Sequence, residues 1–174
     1  MTSDQIDKLI VLASGGDMLS LEVLYQELKD AVYALTLAIT RVPAAAEDIT
    51  QDTFVHVALA RSFTPRGYGK AWVLKIARNL ALRYLRQEKR TAPISDTQLL
   101  EEGEPSLDKL ALEQALARLN ELDRQIVLLH VSGLKHEEIA RILGRPAATI
   151  RWRYARAVKK LCEILNDIEG GAAN

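Results

Sequence analysis

Residues 134–161 read LKHEEIARILGRPAATIRWRYARAVKKL, and their punctuation decides the fold of the second half of the chain. Ile139, Ala140 and Leu143 recur at helical spacing on a short amphipathic helix that starts near Glu137. Gly144 follows, where a left-handed residue commonly ends a helix. Pro146 then suits the first turn of a longer helix. A helix, a tight glycine turn and a second helix make a helix-turn-helix, the arrangement that lays its second helix in the major groove of DNA.

Projected at about 100° per residue, the longer helix puts Ile150, Tyr154, Ala157, Val158, Leu161, Ile164 and Leu165 on one stripe facing the rest of its domain. Opposite them fall Arg145, Thr149, Trp152, Arg153, Arg156, Lys159 and Lys160, with Arg151 at the boundary. Residues 141–160 hold seven basic side chains and no acidic one. An arginine fork can pair with guanine O6 and N7 or clamp a phosphate, while lysine supplies a point charge. A basic helix is ordinarily a solvated face, but seven bases and no acid from the end of the first helix through the second of a helix-turn-helix favour DNA. Trp152 projects away from the core stripe and reads as a DNA or protein contact rather than packing.

The whole chain hides this polarity. Its 174 residues contain 23 Lys+Arg and 23 Asp+Glu, a formal net charge of +0, and neutrality taken whole argues against a nucleic-acid binder. Yet residues 66–90 carry eight bases against one acid, for +7, and residues 141–160 another +7, so the remainder totals −14. Separate blocks of like charge imply separate contact points. The single cysteine, Cys162, forbids an internal disulfide and fits a reducing cytosol. With no basic-then-apolar leader and no apolar run of about 18 residues, a cytoplasmic protein without membrane insertion is expected.

Apolar spacing is helical nearly throughout and strand signals are absent. Helices are expected at 4–14, 18–41, 43–61 and 69–90, then at 107–118, 121–132, 136–143 and 146–168. Between the two sets lies TAPISDTQLLEEGEPS, residues 91–106, with two prolines, a glycine and no base. The fold class expected is all-α: two small helical domains, 1–90 and 107–168, joined by an acidic flexible linker at 91–106, with a tail at 169–174. Fully extended, the linker spans at most about 55 Å, more than one turn of B-DNA at about 34 Å.

The first basic block is the helix GKAWVLKIARNLALRYLRQEKR (69–90). Val73, Ile76, Ala77, Leu80, Ala81 and Tyr84 make its expected buried stripe. Across from it run Trp72, Lys75, Asn79, Arg83, Arg86 and Arg90. A cationic stripe offering an aromatic face suits unpaired bases, because every base has a π-face to stack. Trp72 has a second reading, as an anchor folded under the preceding loop, and one indole can serve both ends. Ahead of it, AEDITQDTFVHVALAR (46–61) gathers Glu47, Asp48, Gln51 and Asp52 on a helix that also carries Ile49, Phe54, Val55 and Ala58. An acidic face repels phosphate and should meet a protein; the plainer reading is a solvated helix start favoured by the dipole.

At this point the chain resembles a family: the bacterial RNA polymerase sigma factors of the extracytoplasmic-function, or group IV, type. The resemblance covers nearly all of residues 5–166 and rests on GDMLSLEVLYQEL (16–28), AEDITQDTF (46–54), AWVLKIARNLALRYLRQEKR (71–90) and residues 116–161, in the family's order and spacing. It implies a sigma region 2-like four-helix domain followed by a region 4-like helix-turn-helix domain. It implies that Asp48, Gln51 and Asp52 bind core RNA polymerase. The 62–70 loop with Trp72, Lys75, Arg78, Asn79, Arg83 and Arg86 would read and open the minus-ten element of promoter DNA. Arg151, Arg153 and Arg156 would read the minus-thirty-five element, with Arg145 and Thr149 near phosphates; Trp152 is placed with them by its position on the same face. An anti-sigma partner, often membrane-anchored, is implied as well.

The chain departs from the family pattern at Trp152, where a small polar residue is usual, and at Ala148, where glycine is common. Arg83 replaces a common acid, and His136 a frequent aromatic. These bear on the promoter sequence rather than the role. A sigma-like decoy that occupies a regulator without transcribing is the competing interpretation, though it would be expected to lose the basic blocks. An enzyme is disfavoured: no nucleophile–base pair, phosphate loop or metal cluster is present. No cofactor is called for, and His56, His130 and His136 are not spaced as metal ligands, so they read as structural or surface residues.

Overall fold

A computed structural model describes residues 1–91 and 107–172, which form eight helices and, among the described residues, no strand. They are α1 (Ser3–Ser14), α2 (Met18–Thr40), α3 (Pro43–Ala58), α4 (Gly69–Thr91), α5 (Leu107–Ala117), α6 (Glu121–Val131), α7 (His136–Leu143) and α8 (Ala147–Ala172). The architecture is all-α, in two compact units, one holding α1–α4 and the other α5–α8. Residues 92–106, nearly all of the expected linker, lie outside the described residues, as do 173 and 174 of the expected tail.

Local chemistry sets most helix ends. Thr2 and Gln5 cap α1 reciprocally: the Gln5 N–H donates to Thr2 Oγ1 at 3.3 Å, and the Thr2 N–H to Gln5 Oε1 at 2.8 Å. Asp17 caps α2 by accepting from the Ser20 N–H at 3.2 Å. Pro43 opens α3, where its missing N–H is no loss. That helix stops at Ala58, short of the expected 61, as Ala60 tightens onto the Val57 carbonyl and Pro65 keeps the chain beyond from resuming a helix at once. At the other end of the chain, α8 runs on past the expected 168.

In the first unit, Ile6 and Ile10 of α1, Leu24, Leu28, Val32 and Leu35 of α2, Phe54 and Val57 of α3, and Val73, Leu74 and Ala77 of α4 form the core. In the second, Ala115, Leu119, Val127, Ala157, Leu161 and Ile164 pack together from α5, the α5–α6 turn, α6 and α8. Arg124 is buried there, 5% exposed. Its guanidinium donates to the Leu116 and Leu119 carbonyls, each at 2.9 Å, and so ties the end of α5 and the turn after it to α6.

Candidate nucleic-acid interface

In the first unit the site begins with a carboxylate that the sequence reading did not single out. Asp7 of α1 is buried, 2% exposed. It accepts backbone N–H groups from Arg66 at 2.6 Å, Gly67 at 2.7 Å and Gly69 at 2.6 Å. One anion thus fixes the loop before α4 and sits where the free N–H groups and dipole of a helix start favour negative charge. Gly69 makes this possible, since a Cβ there would lie 2.5 Å from Asp7 Oδ1 and 2.7 Å from Ile10 Cδ1.

Trp72 takes the anchor role of its two readings: it is half-buried, with its ring 4.8 Å from that of Phe63 in the same loop. Lys75, Asn79, Arg83 and Arg86 are exposed as expected, and Arg78 is half-buried. The buried arc of α4 is wider than the expected stripe and centres on Val73, Leu74, Ala77 and Ala81, leaving Ile76, Leu80 and Tyr84 half-buried. The reason is that α1, α2 and α3 all pack on this helix. Burial, with the Glu88 carboxylate as a lesser cause, pushes the Tyr84 phenol up, so it stays neutral.

Helix α3 presents Glu47, Asp48, Gln51 and Asp52 to solvent while Ile49, Thr50, Thr53, Phe54 and Val57 face inward. Val55, expected among the apolar set, is 54% exposed, and Leu59 just beyond is 72% exposed, so the outer ridge is acidic at one end and apolar at the other. Asp48, Asp52 and His56 share a surface groove with Arg83, Tyr84 and Gln87 of α4. Arg83, assigned above to DNA, therefore lies beside the acidic residues assigned to polymerase.

In the second unit, α7 ends at Gly144, whose φ of 63° is the left-handed turn read from the sequence. Arg145 follows, its N–H returning to the Ala140 carbonyl at 3.0 Å. Ile150, Ala157, Leu161 and Ile164 of α8 are buried and Tyr154, Val158 and Leu165 half-buried, so the projected stripe is the packed one. Tyr154 closes a ring cluster with His130 and His136, at centroid distances of 4.1 and 5.3 Å, which makes both histidines packing elements. Among the described residues no group of three or more His, Cys, Asp or Glu is arranged to hold a metal ion.

The outward face of α8 is more differentiated than its sequence suggests. Arg145, Arg151, Trp152 and Arg156 are exposed, and Thr149 is half-exposed. Arg153, expected on the DNA face with them, instead turns toward α6, where its Nη1 donates to Asp123 Oδ1 at 2.7 Å. Asp123 is 5% exposed and also accepts from Asn120 Nδ2 at 2.6 Å. Arg151 meets Glu137 of α7 at 3.3 Å, both exposed. The Arg156 guanidinium lies 5.3 Å from the centre of the Trp152 ring.

Asp7 and Asp123 escaped the sequence reading for the same reason. Each lies three residues before a core isoleucine, Ile10 and Ile126, so an acid on the apolar stripe was the available signal.

Comparison with known proteins adds to this geometry. The family model for sigma-70 region 2 matches residues 24–91, and that for sigma-70 region 4 matches residues 109–161. The ECF RNA polymerase sigma factor BldN of Streptomyces coelicolor is 31% identical over 180 residues, spanning 95% of this chain and 67% of its own length. The ECF RNA polymerase sigma factor SigC of Mycobacterium tuberculosis is 27% identical over 163 residues, spanning 88% of each chain. Among solved structures, the sigma factor RpoE of Bartonella quintana, crystallised with the anti-sigma factor NepR, superimposes with a TM-score of 0.68 at 29% identity, covering 83% of this chain and 98% of that one. CnrH, solved with the cytosolic domain of CnrY, gives the same TM-score at 22% identity over 95% of this chain and 98% of its own, a likeness of fold.

Proposed function

We propose, from the premise that this chain belongs to the extracytoplasmic-function RNA polymerase sigma factors, that it binds core RNA polymerase, selects a class of promoters through its two basic units and directs transcription initiation under the control of an anti-sigma partner. Matches to region 2 and region 4 in that order on one chain carry this reading. The finer assignment is to group IV, supported by the short stretch, residues 92–108, between the two matched regions. The protein acts in the cytoplasm and has no catalysis of its own; no helix among the described residues is long and apolar enough to cross a membrane.

The division of labour follows the surfaces. Asp48, Gln51 and Asp52, with the apolar end of the α3 ridge, engage polymerase. The domain of residues 1–90 meets the minus-ten element through the loop pinned by Asp7 and through Trp72, Lys75, Arg78, Asn79, Arg83 and Arg86. The domain of residues 107–168 meets the minus-thirty-five element through Arg145, Thr149, Arg151, Trp152 and Arg156, with Arg153 orienting the helix. A decoy role is not favoured, because both basic blocks and the acidic ridge are kept. The balance of charge gives a further reason for docking first: acidic surfaces weaken duplex binding by the free chain until polymerase covers them.

Run-off transcription with core polymerase, saturating chain and genomic promoters tests this. A transcript from a distinct promoter class is expected. Asp52→Arg should lose polymerase assembly, and Arg145→Ala with Thr149→Ala should keep assembly and lose promoter selection. No transcript from any promoter overturns the reading.

A further inference from the structure

We propose that Trp152 is a specificity-determining residue of the recognition helix: its indole contacts the C5 methyl of a thymine in the upstream promoter element, and its face holds Arg156 ready for the adjacent base pair. The inference rests on the promoter-recognition reading above and names the base chemistry of one of its sites.

Three observations carry it. The first is place. Trp152 is 59% exposed on the second turn of α8, and a recognition helix meets base edges with its N-terminal residues. Bare indole in water is unfavourable, and exposed aromatic surface of this kind marks a contact.

The second is what its neighbours are doing. Arg153 is held by buried Asp123 at 2.7 Å, and Arg151 is paired with Glu137 at 3.3 Å. Arg156, one turn after Trp152, stacks over the indole at 5.3 Å. A guanidinium fixed on a ring has already lost part of the freedom that binding would otherwise take from it. Its fork can then reach guanine O6 and N7 as a planar pair of donors.

The third is the chemistry of the partner. No acid occurs in residues 141–160, so the indole sits in a field that attracts phosphate. Inside the major groove, base edges offer donors, acceptors and one apolar group, the thymine methyl. An indole on a groove-facing helix finds its only apolar complement there. Stacking on an unpaired base would need a melted strand, whereas a helix-turn-helix reads intact duplex.

The probe is duplex selected from a random-sequence library by the wild-type holoenzyme, then remade with uracil for thymine at one position at a time, which removes only the methyl. At one position the wild type should lose about 4-fold in affinity, the worth of one buried methyl. Trp152→Ala should bind the unmodified duplex about 4-fold more weakly or worse and be indifferent to uracil at that position, while Trp152→Phe keeps the sensitivity. The exposed position leaves folding unaffected in either variant. The proposal is overturned if no thymine methyl matters to the wild type, or if the uracil penalty persists in Trp152→Ala. It is equally overturned if Trp152→Ala keeps full DNA affinity and loses polymerase instead, which would make the indole a protein contact. A wild-type holoenzyme that enriches no sequence at all overturns the promoter-recognition reading together with the inference.

Discussion

Helices α4 and α8 sit in windows of the same charge, +7 each, and both carry a tryptophan, yet they prepare their surfaces in opposite ways. Ahead of α4 the buried carboxylate of Asp7 holds backbone, three N–H groups of the loop, and the tryptophan turns back to pack on that loop through Phe63. Beneath α8 the buried carboxylate of Asp123 holds a side chain, the Arg153 fork, and the tryptophan turns out toward solvent beside Arg156. One unit presents a shaped loop beside a basic helix; the other presents a rigid helix with selected side chains. Those are suitable surfaces for a strand that must be opened and captured, and for a duplex that must be read intact.

If the first unit depends on backbone fixed by one anion, removing that anion should have the largest effect. Asp7→Ala leaves the buried N–H of Gly69 and the partly buried N–H groups of Arg66 and Gly67 without their acceptor, and each lost hydrogen bond to a charged group is worth about 1.5–3 kcal/mol before water partly replaces it. A loss of about 4 kcal/mol is expected in the unit of α1–α4, out of a total that for an ordinary domain is about 5–15 kcal/mol. Trp72 fluorescence in a Trp152→Phe background reports that unit alone during urea unfolding. A loss below about 1 kcal/mol would mean that the loop is held by Trp72 and Phe63 rather than by Asp7.

The second unit should be less sensitive, because its buried carboxylate keeps Asn120 when Arg153 is removed. Arg153→Ala is expected to cost about 2 kcal/mol, less than the removal of one partner from a fully buried pair. Asp123→Ala combined with it should be milder than the sum of the single changes, since the orphaned charge goes too. Hydrogen exchange in α6–α8 measures both. Arg153→Glu would set an acid against Asp123 and so tests folding before it tests DNA. A cost for Arg153→Ala equal to that of Asp7→Ala would erase the contrast between a pinned backbone and a pinned side chain.

The parts of this contrast legible in sequence are those that depend on periodicity. Ile150, Ala157, Leu161 and Ile164 announce the packed face of α8, and Gly144 announces the turn before it, because apolar spacing and a left-handed residue are local signals. Asp7 acts on residues 59 to 62 positions away, and Asp123 on one 30 positions away; no window along the chain contains both partners. Polarity also misleads, since an acid is ordinarily a surface residue and only its position among core isoleucines betrays these two. Val55 errs in the other direction, being apolar by type and exposed by position, because the inner arc of α3 is already filled by Phe54 and Val57. The candidate DNA residues are therefore legible in sequence as a face of the helix, while the contacts each side chain makes depend on tertiary partners.

The smallest effect belongs to the other arginine pair of the recognition helix, and it separates the two kinds of carboxylate most finely. Glu137 and Arg151 are 57% and 56% exposed at 3.3 Å, so water screens them, and such pairs are worth about 0–1 kcal/mol. Glu137→Gln should change the stability of the second unit by less than about 0.5 kcal/mol. Its effect on DNA should be larger than its effect on folding, because Glu137 both repels phosphate and occupies Arg151. Freed of it, Arg151 can add a phosphate contact, steepening the dependence of log affinity on log salt by about one and tightening binding at low salt. Titrating wild-type and Glu137→Gln holoenzyme against one promoter duplex across a salt series measures the slope. An unchanged slope with a stability loss above about 1 kcal/mol would put Glu137 with Asp123 as a structural anchor, and both arginines of that turn would then be spoken for before DNA arrives.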